Sequence, residues 1–233
     1  MTKSKSTEVT AFSGKTDIAA RESRVGQGSQ NVSTADMAIP RIKLLQATNP
    51  EVQPSEAQFV EGAQAGMLMN SLNNELYTSL FVINLHFTRC VNAWRKRTMG
   101  GGLFGSFDTE AEAIAKLEAE GEPVSNYDIS ENPTHLILLI NEDGEPQGIA
   151  LLDMPSSKIK KSKKWNSLIA EQEKQGNPRF GCVWQLSVVA DKNNKGPFSN
   201  LDVELVAHAP DEIYAAATNA YDSFFPESQD EAA

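Results

Sequence analysis

Cysteine is nearly absent: Cys90 and Cys182 are the only two in 233 residues. They are too few for a disulfide framework and lack the close partners of a zinc site. Long apolar runs are missing as well. No stretch approaches the roughly 18 residues that would span a bilayer, and the first 36 residues hold no apolar core of a signal peptide. The three histidines, His86, His135 and His208, fit neither a metal-ligand spacing nor a catalytic triad. These absences lead to the expectation of a cytoplasmic chain with no metal, cofactor or membrane segment and no catalytic residues, a protein that is not an enzyme.

Acids are missing from two stretches, and that absence says more than any motif. The formal net charge is −10, yet residues 81–107 hold four basic residues and no acid, and residues 154–200 hold nine basic residues against three acids. Between them, residues 108–153 carry twelve acids against Lys116 alone, and residues 201–233 carry eight acids with no Lys or Arg. Sorting of this kind leaves positive faces on an acidic protein, which suits a polyanion gripped locally and repelled elsewhere. All three tryptophans, Trp94, Trp165 and Trp184, lie in the basic stretches. Cations interleaved with rings suit unpaired nucleic acid, whose phosphates need neutralising and whose bases need stacking planes.

Residues 1–36 are poor in large apolar side chains and cannot offset the ordering entropy of a packed fold, so they read as a flexible arm. One folded domain is expected over 37–222, followed by an acidic tail over 223–233. Over residues 80–97 apolar side chains recur at the odd positions Phe81, Ile83, Leu85, Phe87, Val91 and Ala93. This alternation predicts a strand or hairpin with one buried face, leaving Trp94 on the open face beside Lys96. Gly100-Gly101-Gly102 predicts a loop, and Asp108-Thr109-Glu110 opens a helix that Gly121 ends. Asp143-Gly144 predicts a hairpin between buried strands at 135–140 and 148–152. Pro155-Ser156-Ser157 caps a second helix over 158–174, with Ile159, Trp165, Leu168 and Ile169 as its apolar stripe. Strands at 182–190 and 201–207 and a helix over 210–221 complete a mostly β, α+β pattern.

Two groups of residues stand out as candidate nucleic-acid contacts. The first is Arg89, Trp94, Arg95, Lys96 and Arg97, with Phe104 beyond the glycines; guarding a strand edge with charge does not call for a ring on the same face. The second is Lys158, Lys160, Lys161, Lys163 and Lys164, five lysines without an acid among them. They sit at a helix start, where the dipole favours acids, and their repulsion is relieved by an anion. Trp165 is as readily core as stacking platform, whereas Trp184 alternates in phase with Cys182, Leu186 and Val188 and reads as core. In the acidic tail, Phe224, Phe225, Glu227, Asp230 and Glu231 are candidates for binding partner proteins.

Three segments carry a resemblance: Ile39-Pro40-Arg41-Ile42-Lys43-Leu44-Leu45-Gln46, Trp94-Arg95-Lys96-Arg97 followed by Gly100-Gly101-Gly102, and residues 157–165 around the lysines. Together they resemble the single-stranded DNA-binding proteins of bacteriophages. The resemblance implies an OB-fold-like antiparallel barrel with added strands and two or three helices, binding DNA across one sheet face with little sequence preference. The expected function is coating of unpaired DNA during phage replication or recombination, with replication or recombination proteins as tail partners and self-association compatible with that role. The alternatives are an acidic interaction or inhibitor protein acting on a host nucleic-acid enzyme, and a carboxylate and magnesium nuclease.

Overall fold

The structure, a computed structural model, describes residues 27–32, 36–194 and 196–225. The chain divides into two units, Met1–Met37 and Ala38–Ala233. In the first, a turn brings the Val32 N–H to the Ser29 carbonyl at 3.1 Å. The remainder of the expected arm at 1–26 and 33–35, and residues 226–233 of the expected tail, lie outside the described residues.

The second unit is built on antiparallel sheets. Strands β1 (Ile42–Leu44), β2 (Leu68–Asn70) and β3 (Leu76–Tyr77) form a three-stranded sheet in that order. The main sheet holds six strands: β4 (Ser79–Arg95), β5 (Leu103–Phe107), β6 (Tyr127–Ile140), β7 (Pro146–Asp153), β8 (Cys182–Asn193) and β9 (Gly196–His208). Their order is β7-β6-β4-β8-β9, with β5 paired to the far part of β4. The expected barrel is not formed, because this sheet stays open between β7 and β9. On the β7 side, the Leu151 N–H donates to the Pro40 carbonyl at 2.8 Å, so the segment before β1 covers part of that edge.

Three helices pack on the sheet: α1 (Glu110–Ala119), α2 (Ile159–Lys174) and α3 (Asp211–Phe224). The Thr109 hydroxyl caps α1 by accepting the Glu112 N–H at 3.2 Å, and Gly121 ends the turn at φ 72°, a left-handed conformation that glycine adopts without strain. At the start of α2 the expected serine cap is absent. Ser156 sits at φ 56° in a 3-10 turn, and no side chain caps Lys158.

Strand β4 departs from the one-faced strand read in the sequence. Leu80, Val82 and Asn84 are as buried as Ile83 and Leu85. A register shift against β6 falls between Asn84 and His86, leaving Leu85 as the extra residue. Because side chains alternate, one extra residue exchanges the two faces. Ile83 and Leu85 pack with Ile213 and Ala217 of α3, whereas Ala93, eight residues on, packs with Leu117 of α1 on the opposite side.

The larger core cluster joins Leu80, Val82, Ile137, Leu139 and Trp184 to Trp165 and Ile169 of α2 and to Ile42 and Leu68 of the small sheet. Three of the four positions predicted to stripe α2, Trp165, Leu168 and Ile169, thus face the core, and Trp165 and Trp184 are both 0% exposed. Among the described residues no helix is long and apolar enough to cross a membrane.

Candidate functional site

The first basic stretch folds into the far end of β4 and the loop to β5. Trp94 is 45% exposed and lies opposite Asp128 of β6 and Leu103 of β5. From His86 to Arg95 the pairing with β6 runs without a further shift, so Trp94 projects from the same face as His86. That face is the α3 side, because the His86 ring meets Phe225 at 4.5 Å and Tyr221 at 6.2 Å.

Most of the neighbouring cations already have partners. Arg95 donates to Glu122 at 2.8 Å and to the Tyr127 hydroxyl at 2.7 Å, with its guanidinium 5.4 Å from the Tyr127 ring centroid. The hydrogen bond and charge of Glu122 raise its pKa further. Arg89 pairs with Glu131 at 3.6 Å, and the Lys96 ammonium donates to the Ser125 carbonyl at 2.7 Å. Arg97 is exposed and makes no ion pair among the described residues. Phe104 packs with Ala93, Leu117 and Tyr127, meeting the Tyr127 ring edge-on at 5.3 Å. It anchors the loop to the α1 side and is partly buried there. Gly100, Gly101 and Gly102 have φ of 101°, 69° and 106°, a succession that favours glycine at all three positions.

The second basic stretch forms the start of α2, which lies on the other face of the sheet. His135 of β6 explains how it is held there. The Arg179 guanidinium donates to Asn84 Oδ1 at 2.7 Å, which turns the Asn84 amide nitrogen toward His135 Nδ1 at 2.9 Å. Nδ1 therefore accepts, and Nε2–H donates to the Ser162 hydroxyl of α2 at 2.8 Å. Burial, reinforced by the Arg179 charge, pushes the imidazole pKa down to about 3. The Trp165 ring stacks on this neutral imidazole at 4.6 Å. Trp165 thus has no face free for a base, which corrects its place among the stacking candidates: the helical period turns it inward while the lysines turn outward.

The lysines differ from one another. Lys158 is half-buried, and desolvation lowers its pKa against the opposing charge of Asp153. Lys161 and Lys164 both donate to Asp202 Oδ1, at 3.0 and 3.1 Å. Lys160 and Lys163 are exposed and make no ion pair among the described residues. Burial pushes the Asp202 carboxyl up, but the hydrogen bonds and charges of the two lysines outweigh it and hold the group below its ordinary range.

Trp94 and the lysine helix are therefore not brought together. Phe87 faces His135 on the α2 side, whereas Trp94 points from the opposite face, seven residues and roughly 23 Å further along β4 at about 3.3 Å per residue. A single trough uniting Trp94 with the lysine helix, as the sequence reading requires, is not formed. The aromatic pair of the expected tail is also used by the fold. Phe224 packs in the α3 core cluster, and the Phe225 ring meets His86 at 4.5 Å and Tyr221 at 4.9 Å. Glu227, Asp230 and Glu231 lie outside the described residues. Sequence reasoning missed Asp202, which lies about 40 positions from its lysines, and the Asn84–His135–Ser162 chain, whose members carry no shared motif. Among the described residues no three His, Cys, Asp or Glu side chains converge in a metal-binding group.

A family model described as Pam3 phage gp34-like protein matches residues 5–229. No curated protein and no solved structure matches the chain. The match covers nearly the whole sequence, and the chain therefore belongs to the Pam3 phage gp34-like family of phage proteins.

Proposed function

We propose that the protein binds single-stranded DNA without sequence preference, through phosphate contacts on the first half of α2, and coats unpaired DNA during phage replication or recombination. The observation that carries this reading is the unbalanced charge of that helix start. Among the described residues, five lysines face one directly bonded carboxylate there, and Lys160 and Lys163 stand exposed without an ion pair. The positive end of the helix dipole adds to the same field. A polyanion relieves this repulsion, and a flexible single strand can follow a convex helix surface.

Trp94 supplies a second, separate contact. It is the exposed member of the three tryptophans, and Lys96 and Arg97 lie two and three residues beyond it. Because the two contacts lie on opposite faces, their contributions add rather than reinforce each other. The reading uses an open sheet as its platform and needs no closed OB-type barrel.

Titration with fluorescent poly-dT at two salt concentrations tests the proposal. The expected affinity falls with salt at a log-log slope of about 0.7 per phosphate neutralised. Trp165 and Trp184 are buried, so quenching of tryptophan fluorescence reports on Trp94, and Trp94→Ala should remove the quench and weaken binding by about 1–3 kcal/mol. Absence of poly-dT binding at low salt would overturn the function. Binding with unchanged tryptophan emission would leave the lysines and remove Trp94.

A further inference from the structure

We infer that Asp202 is a built-in competitor of the ligand: its carboxylate occupies the anion position between Lys161 and Lys164 and must be displaced before a phosphate can bind there. The inference rests on the α2 binding reading above and adds how that surface is held in check.

The geometry is that of a phosphate stand-in. One anionic oxygen, Asp202 Oδ1, accepts from two ammonium groups at 3.0 and 3.1 Å. A non-bridging phosphate oxygen makes the same charge-assisted contacts at the same distances. The pairs are partly sheltered, with the Asp202 side chain only 21% exposed and those of Lys161 and Lys164 at 28% and 47%. They are therefore less screened than ordinary surface ion pairs. Asp202 is fixed on β9, so it competes as an intramolecular group at high effective concentration.

A second carboxylate shapes the same cluster by a different route. Asp191 accepts from Asn200 at 2.8 Å and from the Lys192 backbone N–H at 2.7 Å. It is held by the β8–β9 hairpin rather than by the lysines, while the charges of Lys161 and Lys160 act on it. Among the described residues the four outward lysines thus divide into a pair without an ion-pair partner, Lys160 and Lys163, and a pair occupied by Asp202. A ligand should engage Lys160 and Lys163 first. Engagement of Lys161 and Lys164 then has to offset the loss of Asp202, which weakens binding of the second pair and keeps short anions off it.

The test uses the full chain with two probes, poly-dT and inorganic polyphosphate. Asp202→Asn keeps the shape of the side chain and removes its charge. It should tighten binding of either probe by about 3- to 10-fold at low salt, and the poly-dT salt slope should steepen by about 1.4 as two more lysines become available. Unchanged or weaker binding of both probes by a variant with a wild-type circular dichroism spectrum would overturn the inference. If Asp202→Asn fails to fold, two lysine pairs are compared in the otherwise wild-type chain. The Lys160→Gln, Lys163→Gln double variant should lose much more affinity than Lys161→Gln, Lys164→Gln, and equal losses would overturn the inference. Should polyphosphate show these effects while poly-dT does not bind at all, the Asp202 competition stands and the nucleic-acid reading falls.

Discussion

The β4–β5 tip and the first half of α2 share one sequence signature, cations beside a tryptophan, and the fold uses them in opposite ways. At the tip the ring is out and two of the four cations are paired with acids, Arg95 with Glu122 and Arg89 with Glu131. On α2 the ring is in, stacked on His135, and the cations are out. The cause is the repeat of each element. In a strand, neighbours in sequence point to opposite faces, so Trp94 and Arg95 separate and the arginine meets Glu122 on the α1 side. In a helix, neighbours are about 100° apart, so Trp165 can seal the core while Lys164 reaches the surface. A count of basic and aromatic residues cannot distinguish these outcomes; the repeat and the partners brought in by the fold do.

Replacing each tryptophan by alanine probes this contrast most strongly. Trp165→Ala should cost about 3–5 kcal/mol of stability, because it empties a buried ring site. Trp94→Ala should stay within about 0.5 kcal/mol. Urea denaturation of the two variants measures both, and equal losses would erase the distinction between the two regions.

Charge reversal probes the other half of the comparison. Lys160→Glu with Lys163→Glu should lower poly-dT affinity by about two orders of magnitude at low salt. Removing the acids at the tip, by Glu122→Gln or Glu131→Gln, should shift stability by less than about 1 kcal/mol and leave poly-dT affinity within about 2-fold. A fluorescence titration that ranks these variants the other way would move the phosphate contact to the tip.

The anchor of α2 should be sensitive to acid. His135 has a folded pKa of about 3, against about 6.5 in an unfolded chain. Between those values the unfolded state binds the proton and the folded state does not, so stability is complete above about pH 6.5 and declines as pH falls toward about 3. The slope is at most about 1.4 kcal/mol per pH unit from this one group. His135→Gln removes the titration and should flatten the stability profile in that window, measured by thermal unfolding at several pH values. A profile as steep as wild type would assign the acid sensitivity elsewhere.

Much of the local structure was legible. Thr109 and Gly121 bound α1 as their chemistry dictates, and Trp184 is core, as its phase with Cys182 and Leu186 requires. The buried strand around residues 135–140 begins much earlier, at Tyr127. Its polar first half, with Pro133 inside it, hid that extension, since weak strand propensity yields to the pairing with β4 that this half makes along its length. The single buried face expected of β4 was wrong because residues 80–85 are covered on both sides, by the cluster that includes α2 and by the one that includes α3. The register shift after Asn84 then exchanges the faces for all that follows, and it leaves no composition signal. Of the candidate site, the surplus of lysines was legible, but their division by Asp202 was not.

Sequence alone determined the local properties of this protein: which segments alternate with period two, where helices start and end, and where positive charge outweighs negative. Those follow from interactions over a few residues. Only the tertiary structure decided that the sheet stays open, that Trp94 and the lysine helix occupy opposite faces, and that Asp202 sits between Lys161 and Lys164. Each of those depends on strand order, register or a pairing across about 40 residues. Such long-range closure is set by the packing of the whole core, and no short window of sequence records it.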